Sequence, residues 1–222
     1  ENTIQTGKHF VFGFYSSEIN KLIPKLKNNK YIEKVGIHFH RKTQNISEWS
    51  LKKELEDSLD ESTFEMIDII NIGGGLPSVY KNYNENIIES IFDRIKELKD
   101  WLNKKEIKVI IEPGRAIAAP AVKLVTYIKN IYDNNIIVDC SVYNTAMDTF
   151  IANIRLLVEN EENAGSSYTI KGCTPDSIDI FRYKVFLNNP QIGDKLTFLN
   201  AGAYNFNTDF CKLPKIETEV ME

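Results

Sequence analysis

The sequence has few features that would indicate cross-links or a membrane. Its three cysteines, Cys140, Cys173 and Cys211, are odd in number and show no C-x-x-C spacing. Neither a disulfide framework nor a metal site of familiar spacing is therefore expected. No apolar run approaches the roughly 20 residues that span a bilayer, and no signal-peptide pattern is present. Reduced thiols and the lack of such segments predict a cytoplasmic protein without membrane contact.

The sequence also lacks runs of basic residues. The formal net charge is −4, and no aromatic cluster of the RNA-binding type accompanies the lysines, so nucleic-acid binding is not expected. Hydrophobic residues make up 42% and charged residues 26% of the 222 positions, which is typical of a globular protein with one large domain or two smaller ones.

Residues 1–120 alternate strand-like and helix-like segments. The predicted helices are 16–29, interrupted by Pro24, a polar segment from Ser47 to about Ser58, and 84–106, whose apolar residues repeat at a spacing of three to four. The predicted strands are 9–14, 35–40, 66–75 and 108–114. This alternation predicts an α/β domain with parallel strands and crossover helices.

Residues 121–222 change to short β-rich segments separated by turns, for example 135–143 and 194–204. They predict a second, all-β domain, with the boundary between residues 118 and 132. The first domain offers four strands, whereas a closed parallel barrel needs eight. It is therefore either a small open sheet or the C-terminal part of a longer structure.

Several polar residues follow the predicted strands, where ligands bind in parallel α/β folds. Gly73, Gly74 and Gly75 allow a close approach of backbone N–H groups to a phosphate, or they form a tight turn. Arg115 is a second candidate for a phosphate contact, with an ion pair to Glu112 or exposure to solvent as the alternative. Glu112 itself is expected on the strand, facing the ligand end or in a structural ion pair.

Three further features are ambiguous when taken alone. His38 and His40 alternate on one predicted strand, and without an obvious third ligand they favour stacking on a planar ligand over metal binding. The segment Gly172–Asp179, "GCTPDSID", contains a thiol, hydroxyls and two acids, and is compatible with an ordinary polar loop. Tyr204 lies in a turn rich in glycine and alanine.

Taken in order, five stretches resemble the pyridoxal-phosphate-dependent decarboxylases of the alanine-racemase fold, which act on ornithine, diaminopimelate and related amino acids. They are "GIHFH", "INIGGGLP", "IEPGR", "GCTPDSID" and "GDKLTFLNAGAY". The resemblance spans about residues 8–210 and implies the C-terminal half of a (β/α)8 barrel over residues 1–120, followed by a β-domain over 121–222.

The resemblance also implies roles for individual residues. Glu112 would pair with the pyridine nitrogen of pyridoxal 5'-phosphate, and His40 would stack on the ring. The phosphate would be bound by residues from four parts of the chain, namely Thr43, the run Gly73–Gly75, Arg115 and Tyr204. Cys173 is the candidate thiol for the proton-transfer step, and Asp176 would contact the distal amine of the substrate. The loop that carries Asp176 would reach into the partner's site, which makes the expected active unit a homodimer.

The sequence departs from the family pattern in three respects that affect this interpretation. "RKTQN" after His40 replaces a Gly-Ser type phosphate turn, so Arg41 or Lys42 would either meet a substrate or phosphate charge or face solvent. The family's Schiff-base lysine lies on the first barrel strand, which has no counterpart here, so an upstream segment is expected to supply it and this chain alone is expected to be inactive. Pro175 stands where the family usually has a cysteine, and Cys173 lies two residues earlier.

The predicted function is thus the decarboxylation of a basic amino acid such as ornithine or lysine. A substrate with a guanidinium group stays open, because a carboxylate such as Asp176 also binds guanidinium. The alternative is a non-catalytic homologue that binds pyridoxal phosphate or a partner enzyme. A racemase of the same fold ranks below both.

Overall fold

The computed structural model describes residues 13–83, 86–205 and 212–221. Most of the strand predicted at 9–14, the start of the helix predicted at 84–106, and Cys211 lie outside these residues. The chain divides into two compact units. Among the described residues, the α/β unit comprises 13–77 and 86–114, and the sheet unit comprises 78–83, 115–205 and 212–221.

Three short parallel strands form the sheet of the α/β unit. They are β1 (Gly36–His38), β2 (Ile69–Asn71) and β3 (Lys108–Ile110), in the order β1-β2-β3. His38 lies opposite Asn71, and Asn71 lies opposite Ile110. Because the strands are parallel and in this register, their carboxyl ends meet at one edge of the sheet.

The described part of the α/β unit also contains four helices: α1 (Ser16–Lys27), α2 (Leu51–Ser58), α3 (Glu61–Met66) and α4 (Ile87–Asn103). Helix α4 buries Ile91, Leu98 and Leu102, which are the apolar positions that the 3–4 spacing predicted. Helix α1 contains Pro24 and continues to Lys27, so the predicted interruption there was wrong.

The strands are shorter than the sequence predicts. Residues 66–75 were expected to form one strand, but Met66 ends α3 and β2 ends at Asn71. The backbone then leaves the extended region, with φ of +67° at Gly73 and +95° at Gly75, a conformation that glycine adopts at little cost. Glu112 was expected on a strand and instead lies two residues beyond the end of β3.

Six strands form the mixed sheet of the sheet unit, in the order β6-β9-β4-β5-β7-β8. Strands β5 and β7 pair in parallel, and the other neighbours are antiparallel. The stacked rings of Phe181 and Phe198, with centroids 4.8 Å apart, lie in its core. The strands are β4 (Leu124–Tyr132), β5 (Asn135–Val138), β6 (Leu157–Val158), β7 (Ser167–Lys171), β8 (Ile180–Phe186) and β9 (Lys195–Leu199).

Three four-residue helices lie in the described part of the sheet unit: α5 (Arg115–Ala118) before β4, and α6 (Val142–Thr145) and α7 (Asp148–Ile151) between β5 and β6. The strand predicted over 135–143 ends at Val138, because Ser141 caps α6 by accepting a hydrogen bond from the Tyr143 amide at 3.1 Å. No helix in the described part of the chain is long and apolar enough to cross a bilayer.

Replacing a buried residue of β2 should destabilise the chain far more than replacing an exposed apolar residue of the same unit. Ile70 is 0% exposed, so Ile70→Ala should lower the free energy of unfolding by about 3 kcal/mol through lost burial and a cavity. Phe92 is 54% exposed, and Phe92→Ala, the control, should cost about 0.5 kcal/mol. Urea unfolding measures both, and equal losses would contradict the central position of β2.

Candidate functional site

Polar residues gather at the carboxyl ends of the three parallel strands. We call this set the strand-end cluster; its members are His38, His40, Asn71, Gly73–Gly75 and Glu112. They come from segments up to about 75 residues apart in sequence. Parallel pairing brings them together because each follows or ends a strand of the same sheet.

Asn71 links two parts of the strand-end cluster. Its side-chain Nδ2 donates to Glu112 Oε1 at 2.6 Å, and its Oδ1 accepts from the Gly73 amide at 2.9 Å. The Glu112 amide in turn donates to the Gly73 carbonyl at 2.8 Å. One amide side chain therefore fixes both the carboxylate and the start of the glycine run.

The glycine run is packed so closely that side chains would not fit. A Cβ at Gly73 would lie 2.8 Å from the Phe39 carbonyl oxygen, and one at Gly74 would lie 2.7 Å from that of Glu112. The Gly74 amide donates to Nδ1 of His40 at 3.1 Å, which orients the exposed imidazole against the run. The glycines are thus required here by close approach of the backbone.

The Glu112 carboxylate is accessible at the end of the sheet. Its side chain is 52% exposed, and Oε2 lies 3.7 Å from His38 Nε2. His38 and His40 were predicted to share a face of one strand, but they have different partners, since His40 follows the end of β1 and contacts the glycine run.

The basic residues after His40 are engaged in ion pairs. Lys42 Nζ lies 2.9 Å from Glu48, and Arg41 pairs with Glu54. Thr43, the predicted phosphate contact in this segment, is exposed. The two bases thus match the solvent-facing interpretation better than a ligand contact.

Arg115 forms the centre of a second group, in the sheet unit. It is 3% exposed, and its Nη1 donates to Asp148 Oδ2 and to the Tyr80 hydroxyl, the latter at 3.2 Å. Burial by itself would lower the pKa of Arg115, but the hydrogen bonds to Asp148 and Tyr80 and the charge of Asp148 together outweigh it, so the pKa is raised. Neither alternative in the sequence analysis, an ion pair with Glu112 or exposure to solvent, anticipated this buried pair.

Tyr204 belongs to the same group. The Arg115 guanidinium lies over its ring, with Cζ 4.8 Å from the centroid, a cation–π geometry. The backbone of Tyr204 has a φ of +58°, and the residue is 66% exposed. The structure therefore brings together two of the predicted phosphate contacts, Arg115 and Tyr204.

The segment Gly172–Asp179 forms a third group, which we call the acidic loop. Asp179 is fully buried and accepts hydrogen bonds from Thr174 and from residues at the start of α6. Gly172 packs against the Asp179 carboxylate with no room for a Cβ. Asp176, the predicted substrate contact, is partly exposed and accepts a hydrogen bond from the Tyr143 hydroxyl.

Cys173 lies in this loop, and Cys140 contacts it. The Cys173 amide donates to the Cys140 carbonyl at 2.9 Å. Burial raises the pKa of Cys140 to about 12, and burial also raises that of Cys173. A thiol with a raised pKa keeps its proton at neutral pH, so Cys173 is present there as the thiol and not as the thiolate.

Four contributors to these groups were missed by the sequence analysis: Asn71, Tyr80, Tyr143 and Asp148. Asn71 could have been noticed, because asparagine is uncommon within a strand and precedes the glycine run. No local signal pairs Tyr143 with Asp176 or Asp148 with Arg115. Among the described residues, no group of three or more His, Cys, Asp or Glu side chains could hold a metal ion.

Comparison with known proteins places this architecture in a family. Residues 1–119 match the pyridoxal binding domain of the pyridoxal-dependent decarboxylases, and residues 118–202 match the C-terminal sheet domain of the same family. The chain belongs to the pyridoxal-dependent decarboxylase family, whose members are lyases that use pyridoxal phosphate. The resemblance drawn from the five stretches is confirmed.

Two curated relatives illustrate the extent of the match. The chain is 31% identical over 195 residues to a diaminopimelate decarboxylase of Aquifex aeolicus, covering 82% of this chain and 45% of the relative. It is 26% identical over 207 residues to an ornithine decarboxylase of Caenorhabditis elegans, covering 81% of this chain and 48% of the relative. The chain thus spans about half the length of these relatives.

A solved structure shares the fold. A lysine/ornithine decarboxylase of Vibrio vulnificus, in complex with putrescine, superposes with a TM-score of 0.70 at 22% sequence identity. The match covers 94% of this chain and 60% of that one.

Breaking the buried pair of Arg115 and Asp148 should be costly. Both side chains are almost fully buried, at 3% and 4% exposure, so Asp148→Leu should leave a buried guanidinium without its counter-charge and lower the free energy of unfolding by about 3 kcal/mol. Glu159 pairs with Lys123 at the surface, and Glu159→Leu, the control, should cost much less, because an exposed ion pair adds little stability.

Urea unfolding of both variants measures the difference. A double variant, Arg115→Met with Asp148→Leu, should recover part of the lost stability because it removes both charges together. If Asp148→Leu costs no more than Glu159→Leu, the buried pair does not hold the sheet unit together.

Proposed function

We propose that this chain is the C-terminal part of a pyridoxal-phosphate-dependent decarboxylase that acts on a basic amino acid. The observation that carries the proposal is the Glu112 carboxylate at the carboxyl ends of the parallel strands. It is half-exposed, with one oxygen bonded to Asn71, and it adjoins the glycine run.

The strand-end cluster has the chemistry that this cofactor requires. A carboxylate such as Glu112 favours the protonated form of a ring nitrogen, because the opposite charge stabilises it. The backbone at Gly73–Gly75 is bare of side chains and lies against its neighbours, which suits a phosphate group. Since the Gly73 amide already donates to Asn71 and the Gly74 amide to His40, phosphate binding at either amide would replace that bond.

When bound, the cofactor supplies a ring that accepts the electron pair released as carbon dioxide leaves. Residues of this chain would bind and orient the cofactor: Glu112 would hold the proton at the ring nitrogen, and His40 would pack on the ring face. Thr43, Gly73–Gly75, Arg115 and Tyr204 are proposed to bind the phosphate. Cys173 retains its thiol proton near neutral pH and is proposed to donate it at the end of the reaction.

The three parallel strands are proposed to be part of the second half of a (β/α)8 barrel, within a domain covering residues 1–120. An upstream segment would supply the other strands and the lysine that binds the cofactor, so the chain alone would be inactive. The coverage of only 45% and 48% of the two curated relatives supports this division. A β-domain over 121–222, a homodimer with shared active sites and a cytoplasmic location complete the proposal.

The proposed substrate carries a cationic distal group. Asp176 is the acidic residue of the loop that the family resemblance assigns to substrate contact, and it is partly exposed. Two of the relatives are named for substrates of this kind: the Caenorhabditis protein is an ornithine decarboxylase and the Vibrio protein a lysine/ornithine decarboxylase. Ornithine or lysine is therefore the favoured substrate, with a guanidinium substrate as the competitor.

One observation favours the alternative of a homologue that binds without catalysis. Arg115 is 3% exposed and paired with Asp148, as a structural arginine would be. If Arg115 serves only the packing of the sheet unit, phosphate binding would depend on the glycine run, Thr43 and Tyr204.

An assembly experiment distinguishes the decarboxylase from the non-catalytic homologue. Cofactor is added to this chain alone, to its native upstream segment alone, and to both together. After borohydride reduction and desalting, mass spectrometry should find the cofactor covalently attached only in the mixture and on a lysine of the upstream segment, because this chain offers no lysine in a matching motif.

The assembled protein should also release carbon dioxide from ornithine or lysine. Cofactor attached to a lysine of this chain would contradict the proposed division of the enzyme. Attachment in the mixture without carbon dioxide release from any basic amino acid would favour the non-catalytic homologue.

A further inference from the structure

The acidic loop is held against a short helix by a hydrogen bond that the family resemblance does not assign. The Tyr143 hydroxyl, on α6, donates to Oδ2 of Asp176, 33 residues further along the chain. The Ile178 amide donates to the other oxygen, Oδ1, at 3.1 Å. Each oxygen of the Asp176 carboxylate thus has one donor from the chain itself.

The tyrosine is itself fixed in place. Its ring packs against Phe150, with centroids 5.0 Å apart and planes inclined at 51°. Ser141 caps the helix at the residue before α6, and its side chain accepts from the Tyr143 amide at 3.1 Å. The phenol therefore reaches Asp176 from a position that packing and capping already define, which lowers the entropic cost of the bond.

One buried carboxylate ties the helix and the loop together. Asp179 is 0% exposed, and it accepts from the Ser141 hydroxyl and the Val142 amide, both at 2.9 Å. It also accepts from the amide and hydroxyl of Thr174, at 3.1 and 2.7 Å. Asp179 thus fixes the start of α6 to the loop, and this keeps Tyr143 and Asp176 within bonding distance.

The consequence for Asp176 is a carboxylate of defined charge and orientation. The hydrogen bond from Tyr143, followed by that from the Ile178 amide, lowers the pKa of Asp176 below its ordinary value. A carboxylate has about four lone-pair positions, so the two bonds leave acceptor capacity for a further donor. A substrate ammonium group would meet an anion that is already oriented.

We propose that Tyr143 is a positioning residue for substrate recognition, whose hydroxyl fixes the Asp176 carboxylate in the orientation that receives the distal ammonium group of the substrate. This inference rests on the proposed function. The inference assigns a role to Tyr143, which would touch neither the cofactor nor the substrate and would act through Asp176.

The test uses the assembled enzyme and two inhibitors that differ only in the distal amine, cadaverine and pentylamine. Tyr143→Phe removes the hydroxyl and keeps the ring packed on Phe150. The inhibition constant of cadaverine should rise about tenfold, as expected for a lost hydrogen bond to a charged group. That of pentylamine should stay within about twofold, because no distal charge is recognised.

Tyr143→Phe should also affect KM and kcat differently. KM for the basic amino acid should rise with little change in kcat, since the bond acts on recognition and not on the reacting atoms. Tyr132→Phe is the control, because Tyr132 is also a partly exposed tyrosine of the sheet unit, 46% exposed at the end of β4, and it should change neither constant. In Tyr143→Phe, an equal rise in the inhibition constants of cadaverine and pentylamine, or no rise in either, would overturn the proposal.

A second measurement does not depend on activity. Carbon-13 NMR of the carboxyl groups in this chain should show the pKa of Asp176 rising towards its ordinary value in Tyr143→Phe and staying unchanged in Tyr132→Phe. An unchanged pKa in Tyr143→Phe would refute the bond itself. If the pKa rises but the wild-type assembly decarboxylates nothing, the proposed function is wrong while the positioning of Asp176 by Tyr143 stands.

Discussion

The amide side chain of Asn71 bonds to two parts of the strand-end cluster at once, and the proposed cofactor chemistry depends on both. One end of the amide holds the Glu112 carboxylate and the other holds the Gly73 backbone. The parallel register of three short strands brings these groups to the same edge. In the proposed function, the carboxylate held in this way pairs with a protonated ring, and the glycine run receives its phosphate.

In the sheet unit, two buried carboxylates hold the neighbouring polar groups in place. Asp148 holds the Arg115 guanidinium, over which Tyr204 packs. Asp179 holds both α6 and the acidic loop, and so indirectly the pair of Tyr143 and Asp176. A buried carboxylate is costly unless its acceptors are used, and Asp179 meets this requirement with four donors. The result is a loop whose geometry is fixed before any ligand binds.

The sequence predicted the elements with a strong local pattern and missed the contacts that join distant segments. The apolar spacing of α4 identified its buried face, and the predicted strand ends placed Glu112 and the glycine run at the ligand end of the sheet. The bond from Asn71 to Glu112 spans 41 residues and the pair of Arg115 and Asp148 spans 33, so no local pattern reports them. Helix α6 was read as a strand because its conformation depends on the cap at Ser141 and on Asp179, which is 38 residues from that cap.

The central claim is that Glu112 keeps the ring nitrogen of the cofactor protonated. Nitrogen-15 NMR of the assembled enzyme, loaded with pyridoxal phosphate labelled at the ring nitrogen, reports this proton directly. The wild-type protein should show a protonated nitrogen at neutral pH, and Glu112→Gln should show an unprotonated one because the opposing charge is gone. An unprotonated nitrogen in the wild-type protein, or the same signal in both, would contradict the account.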